Sequence, residues 1–127
     1  MKVLVTGATG FIGRALCRHL LQHGVSVRAT TRFASTATAI PSGAEIVQIT
    51  SVNGGTDWSE ALAGVDAAVH LAARVHVMHE SNPDPLGVFR KVNTEGTSRL
   101  AGCRARPSRP EPAPGTWRSI PRESSYM

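Results

Sequence analysis

Three glycines, Gly7, Gly10 and Gly13, recur at three-residue intervals directly after the apolar run Val3-Leu4-Val5 and at the head of an amphipathic stretch beginning at Phe11. Where a strand passes through glycines into a helix, the first glycine permits a tight turn, the second lets the backbone approach a ligand, and the third lets the helix pack closely on the sheet. The first N–H groups of such a helix have no intrahelical partner and lie at the positive end of its dipole, so they attract an anion without a basic side chain. Phosphate recognition is therefore the chemistry this spacing offers, with Gly7, Gly10, Phe11, Ile12 and Gly13 as its residues. A tight turn with no ligand would use the same glycines, but the strand-to-helix context favours the phosphate loop.

Other reactive side chains form no comparable constellation. His76 and His79 are spaced too sparsely for zinc without further convergent ligands, and the chain supplies no Cys/His cluster. They read as loop histidines, and no metal site is expected. Cys17 and Cys103 have neither metal spacing nor a pairing framework and read as reduced thiols.

The elements that must position the loop follow from the hydrophobic pattern. Residues 2–6 read as a strand buried on both faces, and Ile12, Leu16 and Leu20 give one helical face over Phe11 to His23, stopped at Gly24. Val25 to Thr31 and Glu45 to Ile49 read as strands, separated over 34–44 by a weak helix at most. Asp57 to Ala63 reads as a short helix capped by Thr56 or Asp57, and Asp66 to Leu71 as an apolar fourth strand. A loop containing Pro83 and Pro85 leads to a helix from Leu86 to about Gly102, with Gly96 as an internal weak point. Strands alternating with helices predict an α/β fold, a Rossmann-like parallel sheet joined by right-handed crossovers, incompletely doubly wound, in the order 3-2-1-4.

From Cys103 onward the prolines are too dense for a helix or a central strand, and residues 103–127 read as a disordered Arg/Pro-rich tail. Five arginines against two glutamates there account for +3 of the formal charge of +5. Basic residues gathered in such a tail, without aromatics interleaved on a folded face, argue against nucleic acid as a partner. No apolar run approaches the roughly 18 residues a membrane span requires, and the chain opens directly into a strand, so a cytoplasmic protein without a membrane partner is expected. The pattern specifies no oligomeric state.

Three motifs in order carry a resemblance. Thr6-Gly7-Ala8-Thr9-Gly10-Phe11-Ile12-Gly13, His70-Leu71-Ala72-Ala73 and Val92-Asn93-Thr94-Glu95-Gly96-Thr97 resemble the phosphate loop, fourth-strand motif and following helix of the NAD-dependent epimerase/dehydratase family, within the extended short-chain dehydrogenases/reductases. The resemblance covers roughly residues 1–102, taken as a partial NAD(P)-binding Rossmann domain. It implies that Gly7, Phe11 and Ile12 surround the dinucleotide phosphates and that Leu71, Ala72 and Ala73 line the cofactor near its riboses. It also places Asn93 in the helix behind the active site, with residues 74–86 as a flexible active-site loop.

Two positions bear on which cofactor is bound. An acidic side chain at the end of the second strand would hold the adenosine ribose hydroxyls, whereas arginine accommodates a 2′-phosphate. The stretch Arg28-Ala29-Thr30-Thr31-Arg32 has no carboxylate, and Arg32 lies 19 positions after Gly13, so NAD or NADP is expected with NADP slightly favoured. Ser51-Val52 stands where the family often has an aspartate and an aliphatic residue beside the adenine.

The resemblance implies hydride transfer through the nicotinamide, with a nucleotide sugar as the substrate of full-length relatives and a Tyr-x-x-x-Lys pair for proton exchange. The one tyrosine here, Tyr126, is followed only by Met127, so no catalytic residue is assigned. The shift in composition near residue 102 suggests a truncated gene or a shifted reading frame. A non-catalytic NAD(P)-binding or sensing module and a nonfunctional gene remnant are the alternatives to an enzyme.

Overall fold

The computed structural model describes residues 1–75 and 81–103. His76, His79, Tyr126 and the tail from residue 104 fall outside them. Four strands, β1 (Lys2–Thr6), β2 (Ser26–Thr31), β3 (Glu45–Gln48) and β4 (Ala67–His70), form one parallel sheet in the expected order β3-β2-β1-β4. Val3 is in register with Val27 on one side and Ala67 on the other, and Thr6 with His70, so the strands end together at one carboxyl edge.

Alternation along β1 builds two cores. Val3 and Val5 face α1 (Phe11–Gln22) and join Cys17, Val27, Ala29 and Ile40, while Leu4 points the other way into Val47, Ile49, Trp58, Val65 and Leu100. Burial pushes the Cys17 thiol pKa upward, in keeping with a packing role. Gly24, at φ 73°, turns the chain from α1 towards β2. Segment 34–44 contributes a 3₁₀ helix, Ala34–Ala39, with no buried residue.

The second helix, α2 (Ser59–Leu62), is shorter than the expected 57–63. Thr56 does not cap it, because its hydroxyl donates to the Ser51 carbonyl (2.9 Å) and accepts the Asn53 N–H (2.9 Å), closing the loop before it. Asp57 accepts the Ser59 N–H at 2.9 Å, and its carboxyl pKa is held below the usual value by the Ser59 side chain and, after it, by that N–H. The far end of α2 is tied down from the sheet. Buried Arg28 of β2 donates to the carbonyls of Glu60 (2.9 Å), Ala61 (3.1 Å) and Ala63 (2.6 Å) and to the Glu45 carboxylate (2.9 Å). A guanidinium can be buried here because carbonyls at a helix end and a carboxylate replace its water. Arg28, and after it Lys2, hold the Glu45 carboxyl below its ordinary pKa.

The last helical stretch begins at Pro85, with Asp84 accepting the Gly87 N–H at 3.0 Å as its cap. It runs as α3 (Pro85–Arg90), a π turn (Lys91–Glu95) and α4 (Gly96–Gly102). Gly96 is not the weak point its helix propensity suggests. A Cβ there would lie 2.7 Å from Val52 Cγ1, so the glycine is what allows α4 to sit against the loop after β3. Among the described residues no helix is long and apolar enough to cross a membrane.

Candidate functional site

The carboxyl ends of the strands open onto a cleft of about 550 Å³. Gly7 and Gly10 form one wall, Arg32 a second, Ser51 and Val52 a third, and Leu71, Ala72 and Ala73 the floor beyond β4. Eight of the eleven residues expected from the sequence thus meet around one space. The other three support it from behind or present only backbone: Gly13 is buried beneath the loop, while the Phe11 and Ile12 side chains are 86% and 66% exposed.

The three glycines of the loop are not equivalent. Gly7 sits at φ 67°, and a Cβ on it would stand 2.8 Å from both Ala72 N and Leu71 C, so it permits both the turn and the approach of the β4 exit. A Cβ on Gly13 would lie 2.1 Å from the Gly7 carbonyl oxygen, so that glycine lets α1 rest on the loop. At Gly10 the backbone is extended (φ −77°, ψ 174°), and a Cβ would meet only the Gly7 carbonyl oxygen, at 3.3 Å. The fold therefore demands Gly7 and Gly13 strongly and Gly10 only weakly. Gly10 is exposed at the start of α1, whose first turn has neither an acidic residue nor a capping side chain. This cradle is open to the cleft and fits a phosphate group.

The floor is set by a hydroxyl. Thr6 Oγ1 accepts the N–H groups of Leu71 (3.1 Å) and Ala72 (3.2 Å) and lies 2.7 Å from His70 Nδ1. With two donors aimed at the oxygen, its own proton goes to Nδ1, so the imidazole is neutral with its hydrogen on Nε2. Burial lowers the His70 pKa in the same direction.

Beyond the floor, Asn93 of the π turn reaches back 19 residues. Its Oδ1 accepts the Arg74 N–H (2.8 Å) and its Nδ2 donates to the Arg74 carbonyl (2.9 Å), a two-bond clamp on the chain leaving β4. This is a longer-range role than a locally bonded helical asparagine would have. Among the described residues no group of three or more His, Cys, Asp or Glu side chains gathers.

Sequence reasoning did not single out Thr30, Asn53, Arg74, Val88 or Lys91, which also line the cleft. Thr30 was within reach, since it lies in the strand end already inspected for cofactor preference. Lys91 gave no local signal, because only the return of the last helix to the carboxyl edge brings it there.

The model of the NAD dependent epimerase/dehydratase family matches residues 3–108. A UDP-glucose 4-epimerase of Vibrio cholerae is 35% identical over 101 residues, covering 79% of this chain and 30% of that protein. A 3-beta-hydroxysteroid dehydrogenase of Mycolicibacterium neoaurum is 36% identical over 101 residues, covering 78% and 27% respectively. Among solved structures, a short-chain dehydrogenase/reductase superfamily protein from Agrobacterium tumefaciens with bound NAD superposes with a TM-score of 0.62 at 34% identity, over 80% of this chain and 28% of that one. The chain thus spans about 30% of the length of the curated relatives it matches.

Proposed function

The chain belongs to the NAD-dependent epimerase/dehydratase family, and on that premise we propose that it binds NAD(P) through the adenosine and pyrophosphate portion of the cofactor. The observation that carries this is Gly10, a glycine the fold needs only weakly, exposed where an anion would meet the first amides of α1. The N–H groups of Phe11 and Ile12 would hold the pyrophosphate, Gly13 would support their geometry, and Leu71, Ala72 and Ala73 would lie along the riboses. Ser51 and Val52 would flank the adenine. Ser51 Oγ accepts from Asn53 Nδ2 at 2.8 Å, which leaves its own proton for a ring nitrogen.

NADP is the favoured form, because exposed Arg32 stands at the end of β2 and, among the described residues, no carboxylate lines the cleft. When bound, the nicotinamide supplies a hydride acceptor or donor. In a protein that also contains a catalytic portion, the activity proposed is hydride transfer on a nucleotide sugar, in keeping with the named Vibrio relative. The residues here would bind and orient the cofactor, in a cytoplasmic setting.

Calorimetric titration with NADP and NAD tests the proposal, with Gly10→Trp as the blocked control and circular dichroism to establish that both proteins fold. Binding that disappears in the variant is the expected result. A folded wild type that binds neither nucleotide would overturn the reading and leave a loop that has kept its shape without its ligand.

A further inference from the structure

The end of α1 remote from the nucleotide cleft carries two histidines one helical turn apart. His19 lies in the last turn and His23 is the residue on which the helix closes, so the two share one face. Both are exposed, and their ring centroids stand 4.2 Å apart with the planes tilted by 38°.

The His23 ring is held in one orientation by the backbone. Its Nδ1 lies 2.8 Å from the His19 carbonyl oxygen. A carbonyl only accepts, so Nδ1 carries the hydrogen and the lone pair of the neutral ring is on Nε2. Metal-binding imidazoles are arranged in this way, with the second nitrogen donating to a carbonyl that fixes tautomer and ring direction. The His19 ring makes no hydrogen bond among the described residues and can turn a nitrogen towards the same point. A Cβ built on the adjoining Gly24 would meet nothing within 4 Å, so the corner next to His23 is open to an entering ion. The negative end of the helix dipole lies here and favours a cation.

We propose that His19 and His23 form a chelate site for a borderline divalent transition-metal ion, of the class of zinc, nickel and copper, bound through one nitrogen of each imidazole. Such ions favour imidazole, whereas magnesium and calcium prefer oxygen ligands. Each nitrogen would stand about 2.0–2.1 Å from a zinc ion, with water in the remaining positions. The absence of a Cys/His cluster argues against a site closed by four protein ligands and says nothing against a chelate made within one helical turn. The bound ion ties together the last turn of α1, where the intrahelical hydrogen bonds run out, and stabilises the folded chain by mass action. Lying about 18 Å along α1 from the phosphate loop, the site is separate from the nucleotide cleft.

The test is calorimetry on the whole chain at pH 7.5 with zinc chloride, and magnesium chloride as the control, using wild type, His19→Gln and His23→Gln, each checked for folding by circular dichroism. The proposal expects half-saturation below about 1 mM zinc, no magnesium binding in that range, and a weakening of at least about tenfold in each variant, because one imidazole cannot chelate. Zinc should also raise the thermal midpoint of the wild type and of neither variant. In an isotope-labelled chain, paramagnetic nickel should broaden the amide signals around His19 and His23 before any others. Equal zinc binding by wild type and both variants, or broadening that begins elsewhere, would mean that other groups hold the metal, and the proposal falls. It falls as well if the folded wild type binds no zinc, or if only one of the two substitutions weakens binding.

Discussion

Strands β1 and β4 have nearly the same chemistry and opposite fates. Lys2-Val3-Leu4-Val5-Thr6 is buried at every position after the first, whereas in Ala67-Ala68-Val69-His70 the first two residues are exposed and the last two half-buried. Both run parallel in one sheet, in register with each other. The difference lies in their neighbours: β1 is hydrogen-bonded to β2 and β4, while β4 pairs only with β1 among the described residues. Burial in a sheet is a property of position within it, and a short apolar run states only that a strand could be buried. The region around β1 is accordingly the rigid side of the site, and the region around β4 the adjustable one.

The largest expected effect tests that contrast directly. Leu4→Ala empties a fully buried position between β1 and the second core and should cost about 2–5 kcal/mol in urea unfolding, with the spread set by how far the site collapses. Val69→Ala, at a half-buried position in β4, should cost less than about 1 kcal/mol. Equal costs would mean that β4 is sealed as well as β1, and the contrast would be wrong.

Next in size is a comparison within the glycine loop. Gly13→Ala forces a methyl against the Gly7 carbonyl and should cost about 1–3 kcal/mol or more. Gly10→Ser should stay within about 0.5 kcal/mol of wild type, since serine is favoured at a helix start, and should still lose nucleotide affinity as its side chain occupies the phosphate position. A Gly10→Ser protein that binds NADP normally would show that Gly10 is a turn residue and nothing more.

Those local features are the ones a single sequence displays well. The glycine loop, α1 with its stop at Gly24, the alternation of elements and the strand order all depend on short-range periodicity or on the connection rules of parallel sheets. What escaped is non-local. Arg28 lay in the stretch read for cofactor preference, yet its guanidinium caps a helix more than 30 residues away. Thr56 has the chemistry of a cap and is drawn into the preceding loop instead. Gly96 reads as a flaw in a helix until Val52 is seen against it. In each case residue type announces a capacity, and only the assembled fold selects the partner. The clustering of eight expected site residues was legible for the opposite reason, because strand ends in a parallel sheet share one edge whatever their side chains.

The Asn93 clamp joins the adjustable side to the last helix. Asn93→Ala leaves the Arg74 N–H and carbonyl without their side-chain partners and should cost about 1–2 kcal/mol, with faster amide exchange at Arg74. Asn93→Asp keeps an acceptor for the Arg74 N–H and removes the donor to its carbonyl, so its cost should fall between wild type and alanine. If exchange at Arg74 is unchanged in both variants, the floor of the cleft is held by something other than this clamp.

The smallest effect is the most specific to β4. His70 is neutral in the folded chain, accepting the Thr6 proton at Nδ1, and burial places its folded pKa below the ordinary 6.5. Above 6.5 the group is neutral in both states and contributes no pH dependence. As pH falls from 6.5 towards the lowered folded value, the unfolded chain takes up a proton that the folded chain refuses, so stability declines. The Glu45 carboxyl, lowered from 4.5, stabilises above that value and loses its contribution only as pH falls below it, so the two groups act in separate windows. Urea midpoints at pH 7.5 and 5.5 should therefore show a loss in the wild type that shrinks in His70→Gln. An undiminished loss would mean that protonated His70 is readily hydrated, and the open character of β4 would then extend through its last residue to the floor of the cleft.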